Sequence, residues 1–582
     1  MQRLRCLQPP LLAEQLSSCV REINAFSEDS EAAWSYAARA GAYEAVVRLA
    51  EAFPGDVDLQ YVACDGLTSL GWNSKTSLAW PGHSAAGARA GAVRAIAAAA
   101  FTHGTRSGPL LSVAATALIA LLGGEGADWV AARSGHAGMA LAAGLAVALR
   151  DTTSALDDTG AVAACVALAT VGRDELCAQE AARGGALLSI AGVLSNRDTK
   201  QSGDQADVAR KECLAMQRIA AHAPAAVRAR AADVGVAAVR CALEGVHHDS
   251  LYLHHRAWYA VQALLDDDEG AQCRAVNSGV IPDVVRTLEL SVAEAAHADA
   301  PLAAQAACRL LDLLTRGGRA HQASHETARV AAGAAGAVPA IRAAIRAHGC
   351  ANSSTAAAAC GALVGVVYWN VPNMREALRA RPFADLVAVM RAHSTNDLVL
   401  LSATMAIDTL SVQTIMPPDH GGPWRQPPAL AAQLADAGVL EAATLAISNR
   451  PANVHMLDHM CFDLLLTTCS GSMPKAENGG EVLQPCVAAR AKRAGVEAAL
   501  SAVLARTPPP PKAVACAAAQ QLLAALAKVP APRRVCDGCG ATDAAKLMKC
   551  SRCMAARFCG EACMRASWPA HKTVCTPVAS DA

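Results

Sequence analysis

The sequence predicts an all-α fold, with a long array of helical repeats followed by a small cysteine-rich domain. Hydrophobic residues fill 53% of the 582 positions, so the chain has enough apolar surface to fold and is not a disordered tail. Aromatic residues contribute only 3%, whereas alanine, the strongest helix former, is abundant. We therefore expect cores made by the close approach of small side chains on helices. No segment shows the two-residue period of a strand.

Similar helix starts recur ten times between residues 41 and 500. Each is a small-residue or glycine-centred turn followed by an apolar pattern with helical spacing, as in Gly279-Val-Ile-Pro282 and Gly336-Ala-Val-Pro339. Their mean spacing is about 50 residues, and a period of this size on helices is typical of a solenoid. The ten starts lie near Gly41, Gly91, Gly135, Gly185, Gly235, Gly279, Gly336, Pro382, Gly438 and Gly495.

A second apolar helix with closely spaced alanines precedes each of these starts. The clearest example is the segment Ala257–Leu288, which contains the elements Ala-Trp, Ala-Leu-Leu, Asn-Ser-Gly-Val-Ile-Pro and Val-Val-Arg-Thr-Leu. This segment resembles an armadillo repeat, and Ala362–Met390 resembles another, with Asn370 where that family often has asparagine. The resemblance implies an armadillo/HEAT-like right-handed α-solenoid for residues 1–530. An irregular multi-helical domain is the alternative.

Proline-rich segments mark the expected loops and linkers. The mean repeat is longer than the roughly 40–47 residues of armadillo and HEAT units, so the excess should lie in loops. One such loop is Met416–Pro428, where prolines and glycines forbid a helix. Thr507–Lys512 is expected to be extended polyproline II, and Val529–Val535 is expected to be a short, stiff spacer before the C-terminal domain.

The C-terminal domain, residues 531–582, contains four closely spaced pairs of cysteine and histidine. A Cys-x2-Cys turn presents two thiolates to one ion, and Zn²⁺ takes four such sulfur or nitrogen ligands in a tetrahedron. Eight ligands therefore indicate two zinc ions. The pairs are Cys536 and Cys539, Cys550 and Cys553, Cys559 and Cys563, and His571 and Cys575.

The order of these pairs, with Phe558 before the third pair and Trp568 before the histidine, resembles the MYND-type zinc finger over residues 536–575. In that family the two sites interleave. The resemblance therefore implies that the first ion is held by Cys536, Cys539, Cys559 and Cys563, and the second by Cys550, Cys553, His571 and Cys575. Both ions would be structural, because four protein ligands leave no open position for a catalytic water. A segment this short, with few large apolar residues, needs that metal in order to fold.

The resemblance also implies a peptide-binding groove on the finger. In the MYND family a glutamine directly after the sixth ligand and the tryptophan before the histidine line this groove. The corresponding positions are Met564 and Trp568. A tryptophan offers a flat apolar face for proline, whereas methionine lacks the amide that would hydrogen-bond a peptide backbone. The alternative is that Trp568 packs against the zinc hairpin and binds nothing.

Together, the array and the finger predict a zinc-binding scaffold or adaptor that recruits proteins, including those with proline-rich peptides. We expect no enzymatic activity. A MYND-containing lysine methyltransferase would carry Asn-His-Ser/Cys-Cys-x-Pro-Asn and Gly-Glu-Glu-Leu elements after the finger, and neither occurs. A zinc-dependent ubiquitin ligase with a RING would place a histidine centrally rather than in the last pair. No nucleophile elbow or phosphate loop is found.

Charge and apolar patterning set the remaining expectations. The chain has 51 basic and 51 acidic residues, so no nucleic acid partner is expected. The apolar runs are too short for a membrane span.

Fifteen cysteines outside the finger are scattered singly in apolar stretches, which indicates a reducing, intracellular location in the cytoplasm or nucleus. Segments 247–249 and 254–255 form a histidine-rich cluster that we predict to be a solvated turn rather than a third metal site.

Overall fold

A computed structural model describes much of the chain in two compact units, residues 1–393 and 394–582, which we treat separately. The described residues are 18, 22, 31–73, 78–79, 83–103, 107–122, 158–195, 205–244, 249–316, 322–412, 428–448, 464–465, 468–469, 485–505, 513–529, 548–550, 557–558 and 561–572. The loop Met416–Pro428, apart from its last residue, lies outside this set, as do Thr507–Lys512 and most of the Val529–Val535 spacer.

Among its described residues, the first unit is helical apart from one antiparallel pair of two-residue strands, β1 (Trp72–Asn73) and β2 (Leu78–Ala79). Its helices are α1 (Glu31–Arg39), α2 (Ala42–Ala52), α3 (Val57–Gly71), α4 (His83–Ala90), α5 (Ala92–His103), α6 (Gly108–Leu122), α7 (Asp158–Val171), α8 (Glu175–Arg183), α9 (Ala186–Ser195), α10 (Gln205–His222), α11 (Ala225–Glu244), α12 (Leu251–Leu265), α13 (Glu269–Asn277), α14 (Val280–Ala293), α15 (Ala300–Thr315), α16 (Gln322–Ala334), α17 (Ala337–Ala344, continued by a π-helical turn Ile345–Gly349), α18 (Ser353–Val367), α19 (Val371–Arg379) and α20 (Phe383–Ala392).

The second unit contains the remaining helices and a second short hairpin. These elements are α21 (Asp397–Val412), α22 (Pro428–Ala437), α23 (Val439–Ser448), α24 (Pro485–Arg493), α25 (Val496–Leu504), α26 (Ala513–Lys528), β3 (Met548–Lys549), β4 (Arg557–Phe558) and α27 (Glu561–Lys572).

The predicted repeat is seen most clearly in α12 to α14, where a long helix, a short helix and a third helix follow one another. Local sequence defines each boundary. The Ser250 hydroxyl accepts from the backbone N–H of Leu253, and the Asp268 carboxylate accepts from that of Ala271. Side-chain caps of this kind satisfy N–H groups that the first helical turn leaves unpaired. The same three-helix order recurs in α15 to α17 and in α18 to α20.

A left-handed glycine separates the second and third helices of most repeats. A positive φ is strained for residues with a side chain, so glycine is the residue suited to this turn. Seven of the predicted starts have such a glycine, namely Gly41, Gly91, Gly185, Gly279, Gly336, Gly438 and Gly495. The start at Pro382 is also confirmed, with Arg381 in the left-handed position. Gly135 lies outside the described residues.

The predicted start at Gly235 is wrong, because α11 runs through this residue without a turn. Gly235 is buried, and a Cβ atom placed there would lie 2.6 Å from Leu264 Cδ1. The glycine therefore allows close packing against the next long helix, instead of making a turn.

The long helices form the core of the first unit. They pack against one another in chain order, α3, α6, α7, α10, α12, α15 and α18. Small residues permit the close approach, as predicted from the alanine content. At Gly365 of α18, a Cβ atom would lie only 2.4 Å from Thr315 Oγ1 of α15. The all-α solenoid fold is thus confirmed, and the described residues add two very short hairpins that the sequence did not reveal.

Within the described ranges, no single helix is long and apolar enough to cross a membrane, although two bent helix pairs satisfy the same criteria of length and composition.

Candidate zinc finger and peptide site

The zinc-ligand segment contains a short hairpin followed by a helix. Strands β3 and β4 are antiparallel, with Met548 opposite Phe558 and Lys549 opposite Arg557. Cys550 directly follows β3 and is buried, with 3% of its surface exposed. Phe558 at the end of β4 is also buried. The hairpin therefore holds one ligand and one aromatic ring inside the domain.

Three of the eight predicted zinc ligands, Cys550, Cys563 and His571, lie among the described residues. The other five, Cys536, Cys539, Cys553, Cys559 and Cys575, lie outside them. Cys563 and His571 are both on α27, eight positions apart. At 1.5 Å per residue, this separates their Cα atoms by about 12 Å along the helix and rotates them by about 80°.

This separation bears on which ligands share an ion. Zn–S and Zn–N bonds are about 2.0–2.3 Å, so two ligands of one ion lie about 4 Å apart. Cys563 and His571 could share one ion only with both side chains almost fully extended along the helix. The separation therefore argues against one ion held by both Cys563 and His571.

Aromatic rings flank the His571 imidazole. The Phe558 ring lies edge-on to it, with centroids 5.7 Å apart, and the Trp568 ring is tilted against it at 5.6 Å. Apolar groups packed around a ligating imidazole restrict its orientation and limit the access of solvent to the metal. The buried Cys550 and the flanked His571 are side chains suited to structural zinc.

Met564 and Trp568 lie four positions apart on α27 and therefore share one face of the helix. Trp568 is 37% exposed although its ring lies tilted against that of His571, and Met564 is half-buried. Met548 on β3 is also exposed. Trp568 thus packs beside a predicted zinc ligand, His571, and also presents apolar surface to solvent.

The histidine-rich cluster is not a solvated turn at His254 and His255. Both residues are buried in α12. His254 Nδ1 and Trp258 Nε1 each lie 2.7 Å from Thr287 Oγ1, which fixes α12 against α14. Burial, followed by the neighbouring Arg256 charge, lowers the pKa of His255 to about 4. In the part of the chain that is described, which lacks most finger ligands, no group of three metal-binding side chains occurs.

The family model described as the MYND finger matches residues 536–575. The chain therefore carries a C-terminal MYND finger, a zinc-binding domain, at the position predicted from ligand spacing. No curated protein matches the sequence.

Solved structures similar to this chain support the repeat fold. An engineered protein is 17% identical with a TM-score of 0.60, and the match covers 83% of this chain and 98% of that one. A structure from work on a phosphorylation switch between cadherin and β-catenin is 14% identical with a TM-score of 0.58, covering 90% and 99%. At these identities the similarity concerns the fold alone. The chain thus has an armadillo-type solenoid fold and carries a MYND finger.

Proposed function

We propose that this protein is a non-enzymatic, intracellular scaffold whose helical array and MYND finger bind peptide segments of partner proteins. The observation that carries the proposal is the presence of two interaction folds on one chain. Stacked helical repeats expose long surfaces suited to extended peptides. A small finger adds a second, separate binding element, so two partner segments can be held by one molecule.

Zinc has a structural role in this proposal. The first ion would be held by Cys536, Cys539, Cys559 and Cys563, and the second by Cys550, Cys553, His571 and Cys575. When bound, the two ions supply the cross-links that hold the hairpin and α27 together. Because Trp568 packs on the His571 ring, the second site also fixes the orientation of the peptide-contacting indole.

The finger is proposed to bind proline-rich peptides mainly through apolar contact. The exposed part of Trp568 offers a flat surface for a proline ring, and Met564 on the same helical face adds a flexible thioether. The face lacks a glutamine amide at position 564, so fewer hydrogen bonds to the peptide backbone are available. Affinity should therefore be modest and should depend strongly on the indole.

A titration of labelled proline-rich peptide into the full chain tests this function. We expect wild type to bind, Trp568→Ala to lose most binding, and Met564→Gln to bind more tightly because it restores an amide. Trp568→Phe is the matched variant, because it keeps a ring beside His571 while removing the larger indole face. Zinc content is measured for each variant. If wild type does not bind, or if Trp568→Ala binds equally while retaining its zinc, the finger groove is refuted.

A further inference from the structure

The turn between α18 and α19 presents two aromatic rings to solvent. Tyr368 and Trp369 are 39% and 44% exposed, and Val371, at the start of α19, is 39% exposed. Single exposed apolar side chains are common on folded proteins and need no explanation. Three within four positions form a patch. We call Tyr368, Trp369 and Val371 the aromatic turn.

The equivalent turn of another repeat is built from acidic residues. Between α12 and α13 the corresponding positions are Asp266, Asp267 and Asp268. Asp267 has a φ of 56° and Trp369 a φ of 53°, so both backbones are left-handed. Asp268 and Asn370 each cap the helix that follows. The same turn thus forms from aspartates, and its geometry does not require aromatic rings.

The backbone of Trp369 is strained. Aspartate tolerates a left-handed conformation because its short polar side chain can hydrogen-bond locally, whereas a bulky residue is an outlier there. Strained residues persist only where the surrounding structure fixes them, and they cluster at ligand sites. An exposed tryptophan held in this conformation therefore points to a function of its side chain.

A buried polar network fixes this turn. Asn370 Nδ2 donates to Glu326 Oε1 of α16 at 3.0 Å, and Asn370 Oδ1 accepts from the backbone N–H of Asn373. Asn373 Nδ2 donates to the Arg329 carbonyl at 2.8 Å and to the Val366 carbonyl at 3.0 Å. Both asparagines are buried. The turn is therefore tied to α16, α18 and α19 at once.

The two rings are also held in place. Tyr368 and Trp369 lie nearly perpendicular, with centroids 6.1 Å apart and an interplanar angle of 86°. The Arg329 guanidinium carbon lies 5.4 Å from the Tyr368 centroid, and Arg329 Nε donates to the Thr315 carbonyl at 3.1 Å. Arg329 is buried, so it supports the tyrosine ring from the protein side. The result is a fixed pair of aromatic rings at a right angle, each partly open to solvent.

The size of the aromatic turn limits what can bind there. At their observed exposure the two rings together offer at most about 200 Å², whereas a standard protein interface buries roughly 800 Å² per partner. A second copy of the chain would gain too little from this contact. So small a contact holds a ligand only when that ligand loses little conformational entropy on binding.

Charge narrows the choice of ligand further. Glu326 and Arg329, which both contact the turn, carry opposite charges and lie 3.6 Å apart. The two charges offset each other, so the aromatic turn favours an uncharged ligand that binds through apolar contact.

We propose that the aromatic turn binds a short, uncharged, proline-rich segment of a partner protein. A polyproline II helix is already extended and stiff, so a few prolines bind without a large ordering cost. Proline rings pack flat on aromatic faces, and the Tyr368 hydroxyl can donate to a backbone carbonyl, which polyproline II leaves without an internal partner. The inference rests on the proposed scaffold function and adds a site on the array for the peptide class proposed for the finger.

Four forms of the full chain separate the two sites, namely wild type, Trp568→Ala, Trp369→Gly and the double variant. The probe is a labelled peptide of two Pro-x-x-Pro turns with alanine or serine between the prolines. We expect Trp568→Ala to retain a weaker binding phase, and addition of Trp369→Gly to weaken that phase by about tenfold or more. Trp369→Gly alone should leave the finger phase unchanged. Glycine suits the left-handed φ, and melting curves check that each variant folds.

Two controls are matched to this change. Phe101→Ala removes an aromatic ring that is 59% exposed on α5, and it should leave both binding phases unchanged. A peptide with alanine in place of every proline is equally uncharged but lacks the fixed polyproline II conformation, and it should lose binding to the aromatic turn. Tyr368→Phe keeps both rings and should retain most of the affinity, whereas Tyr368→Ala should not.

Three results would overturn the inference. These are absence of residual binding by Trp568→Ala, a residual phase that Trp369→Gly leaves unchanged, and equal binding of the alanine peptide. Concentration-dependent dimerisation that Trp369→Gly abolishes would assign the aromatic turn to a second copy of the chain instead. Full binding by Trp568→Ala that Trp369→Gly removes would support the aromatic turn and refute the finger groove, so failures of the two sites are told apart.

Discussion

At the scale of single residues, Arg381 occupies a turn that glycine occupies in seven other repeats. Its φ of 52° is left-handed, which costs a residue with a side chain about 1 kcal/mol relative to glycine. The side chain is exposed. We expect Arg381→Gly to raise the free energy of unfolding by about 0.5–1 kcal/mol, as measured by denaturant titration.

Gly336→Ala makes the reverse change, from glycine to a residue with a side chain, at the equivalent turn of another repeat. Gly336 has a φ of 79°, and a Cβ atom there would meet nothing within 4 Å, so backbone strain alone should act. We expect a loss of about 1 kcal/mol. Destabilisation by Arg381→Gly would show that contacts of the arginine outweigh the strain.

His255 predicts an acid-sensitive stability of the first unit. Its pKa in the folded chain, about 4, is below the ordinary 6.5 because the buried ring is costly to charge. The unfolded state therefore binds more protons between these values, and stability is lost as pH falls from about 6.5 towards 4, by up to about 3 kcal/mol. His348, whose pKa burial also lowers, acts in the same direction.

His255→Phe should flatten this pH dependence, because a neutral ring of similar size replaces the imidazole beside Tyr259. The measurement is the free energy of unfolding at several pH values between 4 and 7. His297→Phe, at an exposed side chain, serves as the control. If the slopes of wild type and His255→Phe coincide, His255 does not carry the effect.

Residue patterns predicted some of these features and missed others. Metal-ligand spacing has few alternative explanations, so the finger was identified at 536–575. The burial of His254 and His255 was missed, since polarity suggested a solvated turn. Their environment comes from Thr287 and Tyr259, and the distant partner Thr287 is brought near only by the fold.

At the scale of helices, Asp385 joins two repeats. Its carboxylate accepts from Arg342 Nε at 2.8 Å and from Arg346 Nε at 3.0 Å, and its side chain is 15% exposed. A partly buried carboxylate paired with two arginines contributes more to the free energy of unfolding than an exposed ion pair does. We expect Asp385→Asn to lower the free energy of unfolding by about 1–2 kcal/mol.

Asp233→Asn provides the comparison for that change. Asp233 also accepts from an arginine of the neighbouring repeat, Arg274, but its side chain is 57% exposed. Because solvent screens this ion pair, Asp233→Asn should lower the free energy of unfolding by less than about 1 kcal/mol. Equal losses for the two variants in urea unfolding would contradict a special role for Asp385.

Helix boundaries could be predicted where the turn itself dictates the residue, and not where packing does. Gly279 and Gly235 have similar local sequences, each followed by an apolar helical pattern. Gly279 is left-handed at a φ of 88°, whereas Gly235 lies inside α11, where Leu264 occupies the space that a side chain would need. A single sequence does not distinguish a turn glycine from a packing glycine, since the contact is with another repeat.

At the scale of the whole molecule, repeat period and composition predicted the solenoid fold, but they did not predict how charged side chains are arranged on its surface. The arginines at 173, 218, 256 and 309 are separated by 38 to 53 positions and show no local cluster. Side-by-side packing of α7, α10, α12 and α15 places them on, or just after, successive long helices. Burial, and then the charges of Arg173 and Arg256, lower the pKa of Arg218, an interaction between repeats that overall composition does not reveal.

The number of zinc ions is the remaining whole-molecule prediction. Metal analysis should give two zinc ions per full-length chain, and Cys550→Ser should lose both, because interleaved sites share one small fold and a hydroxyl is a poor substitute for a thiolate. Cys350→Ser, at an exposed cysteine of the first unit, should retain both ions.

A strong chelator should remove the metal and abolish proline-peptide binding. The far-ultraviolet dichroism should change little, because α27, the helix of the finger, has only 12 residues. One ion in wild type would refute the interleaved arrangement. Loss of the array's helical signal together with the metal would show that the array depends on zinc as well.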